Sequence, residues 1–66
     1  MNIYRVTEDG DACLIRAKSM SSAIRICEES YLEDNTNDFD NNRAAAREYY
    51  HEEILQSCEL VGQLSS

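Results

Sequence analysis

Residues 2–18 read NIYRVTEDGDACLIRAK, and this stretch decides the fold. Over residues 2–7 the side chains alternate, with Ile3, Arg5 and Thr7 on one face and Asn2, Tyr4 and Val6 on the other. β-Branched and aromatic side chains suit a pleated, half-buried surface, so the pattern predicts a strand. Glu8-Asp9-Gly10-Asp11 follows. Asp-Gly between two such runs predicts a hairpin, because glycine accepts the positive φ that a tight turn needs. Residues 12–18, ACLIRAK, give the second strand, and its centre, Cys13-Leu14-Ile15, is apolar on both faces.

Beyond the hairpin the period changes. Ser19-Met20-Ser21-Ser22 is a helix start, since serine hydroxyls accept from the unpaired N–H groups of a first turn. Met20, Ala23, Ile24, Cys27 and Tyr31 then fall at helical spacing, with Ile26 at the edge of that stripe. The predicted helix is about 11–13 residues long and ends near Leu32 or Glu33. Residues 34–42 form a polar connector rich in Asn and Asp, which compete with helical backbone through local hydrogen bonds. Phe39, its one apolar residue, is expected to pin it to the core, and Asn41 or Asn42 to cap the next helix. That helix is predicted from Arg43 to Leu55, with Ala46, Tyr49, Tyr50 and Ile54 on one face and Ala44-Ala45-Ala46 supplying propensity. From Ser57 to Leu64 alternation returns, with Cys58, Leu60, Gly62 and Leu64 set against Glu59, Val61 and Gln63. This is a third strand, with a helical continuation over 56–61 as the competing reading.

The order is β-β-α-α-β. Its simplest packing is an α+β domain of two layers spanning 1–66, a three-stranded, mainly antiparallel sheet with both helices on one face. Strand order stays open at this point. There is no internal repeat and no low-complexity linker.

Composition narrows the function classes. The chain has 66 residues with 13 acids against 6 bases, a net charge of −7, and a pI near 4.4. Two domains do not fit this length, no apolar run is long enough to span a membrane, and no basic nucleic-acid-binding surface is on offer. No charged start, apolar stretch and small-residue cleavage site marks a signal peptide. At 42% hydrophobic residues the chain is too apolar for a disordered acidic tail.

Cys13, Cys27 and Cys58 are odd in number and widely spaced, unlike a secreted disulfide framework. They predict a reducing compartment and three buried or half-buried thiols. A zinc site would need His51, the only histidine, as fourth ligand, and no CxxC pair supports it, so no metal is expected.

The acids are clustered. Glu28, Glu29, Glu33, Asp34, Asp38 and Asp40 lie in one stretch without a base. Glu8, Asp9 and Asp11 sit at the hairpin tip, and Glu48, Glu52 and Glu53 on the second helix. Glu29/Glu33 and Glu48/Glu52 are i,i+4 pairs of like charge, each costing ~0.2–0.5 kcal/mol, and Arg43/Arg47 repeats the pattern with the other sign. Selection for helix stability alone does not arrange charges so. Two readings follow: a solvated face that aids solubility, or a negative surface built to meet a positive one, with association steered at low salt. An i,i+4 step rises ~6 Å along a helix axis, a spacing compatible with neighbouring phosphates.

Other constellations are weaker. An EF-hand loop needs glycine at its sixth position and glutamate at its twelfth. Counting from Asp34 gives Phe39 and Ala45, and counting from Asp38 gives Arg43 and Tyr49, so both registers fail. Paired carboxylates suited to glycosidase-like work have little room for a pocket in so short a chain. His51 beside Glu52 and Glu53 lies on the polar side of its helix without a nucleophile, so the chain reads as a non-enzyme without a cofactor. Tyr31, Tyr49 and Tyr50 are either interface anchors or core residues with hydroxyls reaching water. Tyr49 and Tyr50 cannot point the same way, so one is the more exposed.

The opening MNIYRVTEDGDACLIRAKSMSSAIRI, together with size, charge and element order, resembles the small proteins of phages and mobile elements. Among these the chain is similar to the small acidic anti-CRISPR proteins, in particular type I-C inhibitors. Those families share no common motif, so no site residue transfers by position. The resemblance implies a non-enzymatic inhibitor in the bacterial cytoplasm, a monomer or weak homodimer. It would bind a basic DNA-binding surface of the CRISPR surveillance complex (Cascade), on its large PAM-reading subunit, as a DNA mimic. The contact face expected from the charge clusters is Glu28, Glu29, Glu33, Asp34, Asp38 and Asp40, with Glu48 and Glu52 adjacent. The alternative is a small phage adaptor for a host transcription or regulatory protein, and beyond it a structural protein dimerised through its sheet. Neither requires direct nucleic-acid or membrane binding.

Overall fold

Asp9 and Gly10 both take positive φ, 47° and 88°, and close a two-residue turn between strand β1 (Asn2–Glu8) and strand β2 (Asp11–Ala17). Two positive φ angles in succession are the mark of a type I′ turn, whose twist matches that of the flanking strands. The register runs from Asn2↔Ala17 to Glu8↔Asp11 without interruption. The structure, a computed structural model, describes residues 1–64.

Helix α1 (Met20–Asn35) starts where Ser19 Oγ accepts from Ser22 N–H at 3.2 Å. It outruns its predicted end by two to three residues. Asn35 Nδ2 donates to the Tyr31 carbonyl at 3.0 Å, and Thr36 Oγ1 donates to that of Leu32. The polar residues expected to break the helix instead add side-chain hydrogen bonds to carbonyls of its last turns. A single 3₁₀ turn (Thr36–Phe39) follows, then Asp40 and Asn41 at φ 55° and 63°, a conformation Asn and Asp tolerate better than most residues. Asn42 Oδ1 caps helix α2 (Arg43–Tyr49) by accepting from Ala45 N–H at 3.1 Å.

The second helix was expected to run unbroken to Leu55. It is α-helical only to Tyr49 and widens into a π turn over Tyr50–Ile54 before strand β3 (Leu55–Gln63) begins. The competing helical reading of 56–61 is therefore excluded. The sheet order is β2-β1-β3, with β1 antiparallel to both neighbours. The α+β, β-β-α-α-β architecture is as the sequence predicts.

Between β1 and β3 the register shifts at Ile3/Tyr4 and at Thr7/Glu8. Leu60, Cys58 and Leu55 oppose Tyr4, Val6 and Glu8, while Gly62 opposes Ile3. The alternation predicted for 57–64 thus breaks at Val61, and Gly62 changes face, because one extra residue in a strand flips every side chain beyond it. The other unpaired residue, Gln56, turns its Oε1 to accept from Gly10 N–H at 3.0 Å.

Tyr4, Val6, Ala17, Ala23, Cys27 and Tyr50 form the core, with Ile15, Tyr31, Ile54, Leu55 and Cys58 packed against it. The buried residues of α1 are Ala23, Cys27, Glu28 and Leu32, so the stripe is rotated by about one residue from the predicted one. Met20 is exposed and Leu32 fully buried. Of the three thiols expected inside, Cys27 is buried and Cys58 half-buried, but Cys13 is exposed. It lies on β2, an edge strand flanked by β1 alone.

Candidate functional site

The helical layer carries the charge. Residues 20–54 hold nine acids against three arginines, a net of −6. The rest of the chain holds four acids (Glu8, Asp9, Asp11, Glu59) against three bases (Arg5, Arg16, Lys18), a net of −1. The polarity of the molecule therefore follows its two layers.

Within the helical layer, one group of acids is consumed internally. Glu28 was expected on the solvated contact face and is instead buried, at 8% exposure. Its Oε1 accepts from Arg47 Nε at 2.5 Å, and its Oε2 lies 2.6 Å from His51 Nε2. Arg47 and His51 stand one turn apart on the second helical segment, so both reach the same carboxylate. Glu29 Oε2 takes Arg43 Nη2 at 2.9 Å, and Arg47 Nη2 lies 3.9 Å from Glu29 Oε1. Arg43 and Arg47, like-charged and one turn apart, are placed to meet Glu28 and Glu29. The repulsion along one helix is relieved by attraction across two.

Burial alone would raise the Glu28 pKa. The hydrogen bonds from His51 and then Arg47, followed by their charges, outweigh it and hold the carboxyl below the ordinary value of 4.5. His51, expected free on the polar side, is thus committed to a buried carboxylate, either as imidazolium or as the Nε2–H tautomer. A groove of about 580 Å³ lies over this pair, lined in part by Ser22, Arg25 and Glu29.

The second group of acids faces water. Glu33 and Asp34 end α1, Asp38 is in the 3₁₀ turn, Asp40 follows it, and Glu48 and Glu52 are on the second helical segment; all six are exposed. Among the described residues none of these six forms an ion pair. The last turn of α1 contains no base. Carboxylates there meet the negative end of the helix dipole, a placement that opposes stability.

Aromatic rings tie these segments together. Phe39 packs on Tyr49 with centroids 5.4 Å apart, which pins the connector to α2 rather than to the buried core. Tyr31 packs on Tyr50 at 5.3 Å. Burial first, then the charges of Tyr49 and Asp38, raise the Tyr31 pKa. Of the three tyrosines weighed as anchors, Tyr50 is core, Tyr31 is half-buried and Tyr49 is exposed.

Six of the eight acids expected on the contact face are exposed and unpaired, whereas sequence reasoning missed the partners of Glu28 and Glu29. The available signal was the match between two like-charge steps of opposite sign, Glu28-Glu29 on one helix and Arg43/Arg47 on the next. Comparison with family models, curated proteins and solved structures returns no match.

Proposed function

We propose that the chain is an anti-CRISPR inhibitor that docks its acidic helical layer on the basic DNA-binding surface of a type I surveillance complex. The large PAM-reading subunit is the target that fits best, and exclusion of target DNA by mimicry is the mechanism. The observation that carries this reading is the set of six exposed, unpaired carboxylates, Glu33, Asp34, Asp38, Asp40, Glu48 and Glu52. Glu28 leaves the expected contact face because it is buried, and Glu29 contributes less because it is paired with Arg43.

A duplex-reading channel is lined with arginine and lysine that neutralise phosphates and release counterions. A protein surface offering carboxylates without internal partners competes for the same side chains. Its association is steered at long range and weakens as salt rises. Tyr49, exposed beside Glu48, adds a rigid aromatic contact of the kind that anchors interfaces.

The test is a gel shift of target DNA by a purified type I-C surveillance complex with increasing amounts of this protein. Loss of the shifted band, relieved at higher salt, is the expected result. A shift that persists at saturating protein overturns DNA competition, and binding to the complex without loss of the shift places any inhibition after DNA binding. Activity in a strain lacking CRISPR would instead favour an adaptor for a host regulatory protein.

A further inference from the structure

We propose that Glu8, Cys13 and Cys27 form a binding site for a thiophilic divalent cation, with Zn²⁺ as the ligand of choice. The three donors come from three elements, the end of β1, the middle of β2 and the middle of α1. One carboxylate oxygen and the two sulfurs all lie within 4.8 Å of one another. Sulfurs sharing a zinc at ~2.3 Å are ~3.8 Å apart in tetrahedral geometry, so small side-chain rotations close the site.

The register explains the convergence. Cys13 pairs with Val6, and Glu8 stands two residues beyond Val6 on the same face of β1. That face looks towards α1, where Cys27 is buried. Cys58 also opposes Val6, but from the β3 side, so the whole of β1 separates it from Cys13. Strands are spaced ~4.8 Å, which puts Cys58 ~10 Å from Cys13 and outside the site.

A second observation points to the same place. Tyr50 is fully buried, at 0% exposure, and its hydroxyl lies close to Glu8 without completing a well-formed hydrogen bond. Tyr50 belongs to the same core cluster as Cys27, so its ring packs beside this site. A buried unpaired hydroxyl costs ~1–3 kcal/mol and calls for an explanation. Orientation of a metal-bound carboxylate through its free oxygen is such an explanation, and metal ligands are characteristically held by donors of this kind.

A route for the cation is present. A cleft of about 370 Å³ between α1 and the β2 edge is lined by Glu8, Cys13 and Cys27, with Ile26, Tyr31 and Ile54 around them. Two thiols alone would pack there as small apolar groups. A carboxylate beside them, an exposed Cys13 and an unpartnered phenol are not what apolar packing needs. On binding, each thiol releases its proton to the buffer as its metal–sulfur bond forms, and the remaining tetrahedral position takes water.

The experiment uses the whole chain, reduced by a phosphine, titrated with Co²⁺ and then with Zn²⁺. The expected result is saturation at one equivalent with a thiolate-to-cobalt charge-transfer band, displacement of that band by Zn²⁺, and a raised melting temperature. Cys13→Ser and Glu8→Gln should each weaken binding by ~100-fold or more, while Cys58→Ser leaves it unchanged. Circular dichroism confirms that these variants stay folded, which Cys27→Ser, at a buried position, need not. Absence of the charge-transfer band, its survival in Cys13→Ser, or its loss in Cys58→Ser overturns the site.

Discussion

Glu28 Oε2 and His51 Nε2 stand 2.6 Å apart across the seam between the two helical segments, and the same carboxylate takes Arg47 Nε at 2.5 Å on its other oxygen. One buried acid thereby fixes the position of the second helix on the first. Removing its charge leaves His51 without an anionic partner and Arg47 with only the longer contact to Glu29, at 3.9 Å. Arg47 and His51 are each nearly half exposed, at 47% and 43%, so water softens that loss. Glu28→Gln should cost about 1–3 kcal/mol, a large share of the ~3–5 kcal/mol expected of so small a core. Urea melts of the two proteins measure it, and a change below a few tenths would mean that the network is ornamental.

The same carboxyl sets a pH dependence. Its pKa is lower in the folded chain than the ordinary 4.5, so the folded state binds its proton less readily than the unfolded state does. Its contribution is fully present above pH 4.5 and is lost as the pH falls through the lowered folded value. Urea midpoints measured from neutral pH down through that window should fall more steeply for the parent than for Glu28→Gln. Parallel curves would show that other carboxylates govern acid unfolding.

The hairpin was legible because its determinants are adjacent in sequence. Asp9-Gly10 specifies the turn, the turn fixes the register of Asn2–Glu8 on Asp11–Ala17, and the alternation of Tyr4 and Val6 fixes the buried face. Both helix caps, at Ser19 and Asn42, were legible for the same reason. What escaped is non-local. Glu28 meets Arg47 and His51 across 19 and 23 residues, and nothing in the local pattern separates it from its exposed neighbours. Bulges in β3 and the π turn after Tyr49 are one-residue adjustments that tertiary packing imposes. The exposed acids of the candidate site were readable because polarity there is uniform, whereas the Glu8–Cys13–Cys27 cluster draws on three elements.

Gly10 tests the turn alone. Its φ is 88° and nothing lies within 4 Å of a Cβ placed there, so a substitution meets open space but the wrong backbone conformation. Gly10→Ala should therefore cost ~1–2 kcal/mol through conformation only. Thermal melting of Gly10→Ala beside Gly10→Asn, which tolerates left-handed backbone, separates the two causes. Equal losses would point to steric contact rather than φ.

The three thiols should differ sharply in reactivity in the metal-free chain. Burial first, then the nearby charges of Glu8 and Cys13, push the Cys27 thiol up to about 12. It is almost wholly protonated near neutral pH and shielded from reagent, and only the thiolate is the nucleophile. Cys13 is exposed, and Cys58 is half-buried with its pKa raised by burial and by Glu59. Timed alkylation followed by peptide mass mapping should label Cys13 first, Cys58 next and Cys27 only on unfolding. Early labelling of Cys27 would mean that α1 opens locally from the sheet.

Glu33 sets stability against the proposed inhibition. It lies in the last turn of α1, where the helix dipole disfavours an anion and the turn contains no base. It also stands one turn from Glu29, whose charge is only partly answered by Arg43. Glu33→Lys reverses both unfavourable contacts and should raise stability by ~0.3–1 kcal/mol. The same change places a cation in the middle of the proposed contact face, so competition with target DNA should fall together with its salt dependence. A merely solvated face would show the gain in stability without any loss of inhibition. Pairing Glu33→Lys with Asp38→Lys strengthens the second effect, since Asp38 is exposed and unpaired in the 3₁₀ turn and contributes to no buried contact. Opposite signs for folding and for inhibition in one variant separate a surface kept for binding from one kept for solubility.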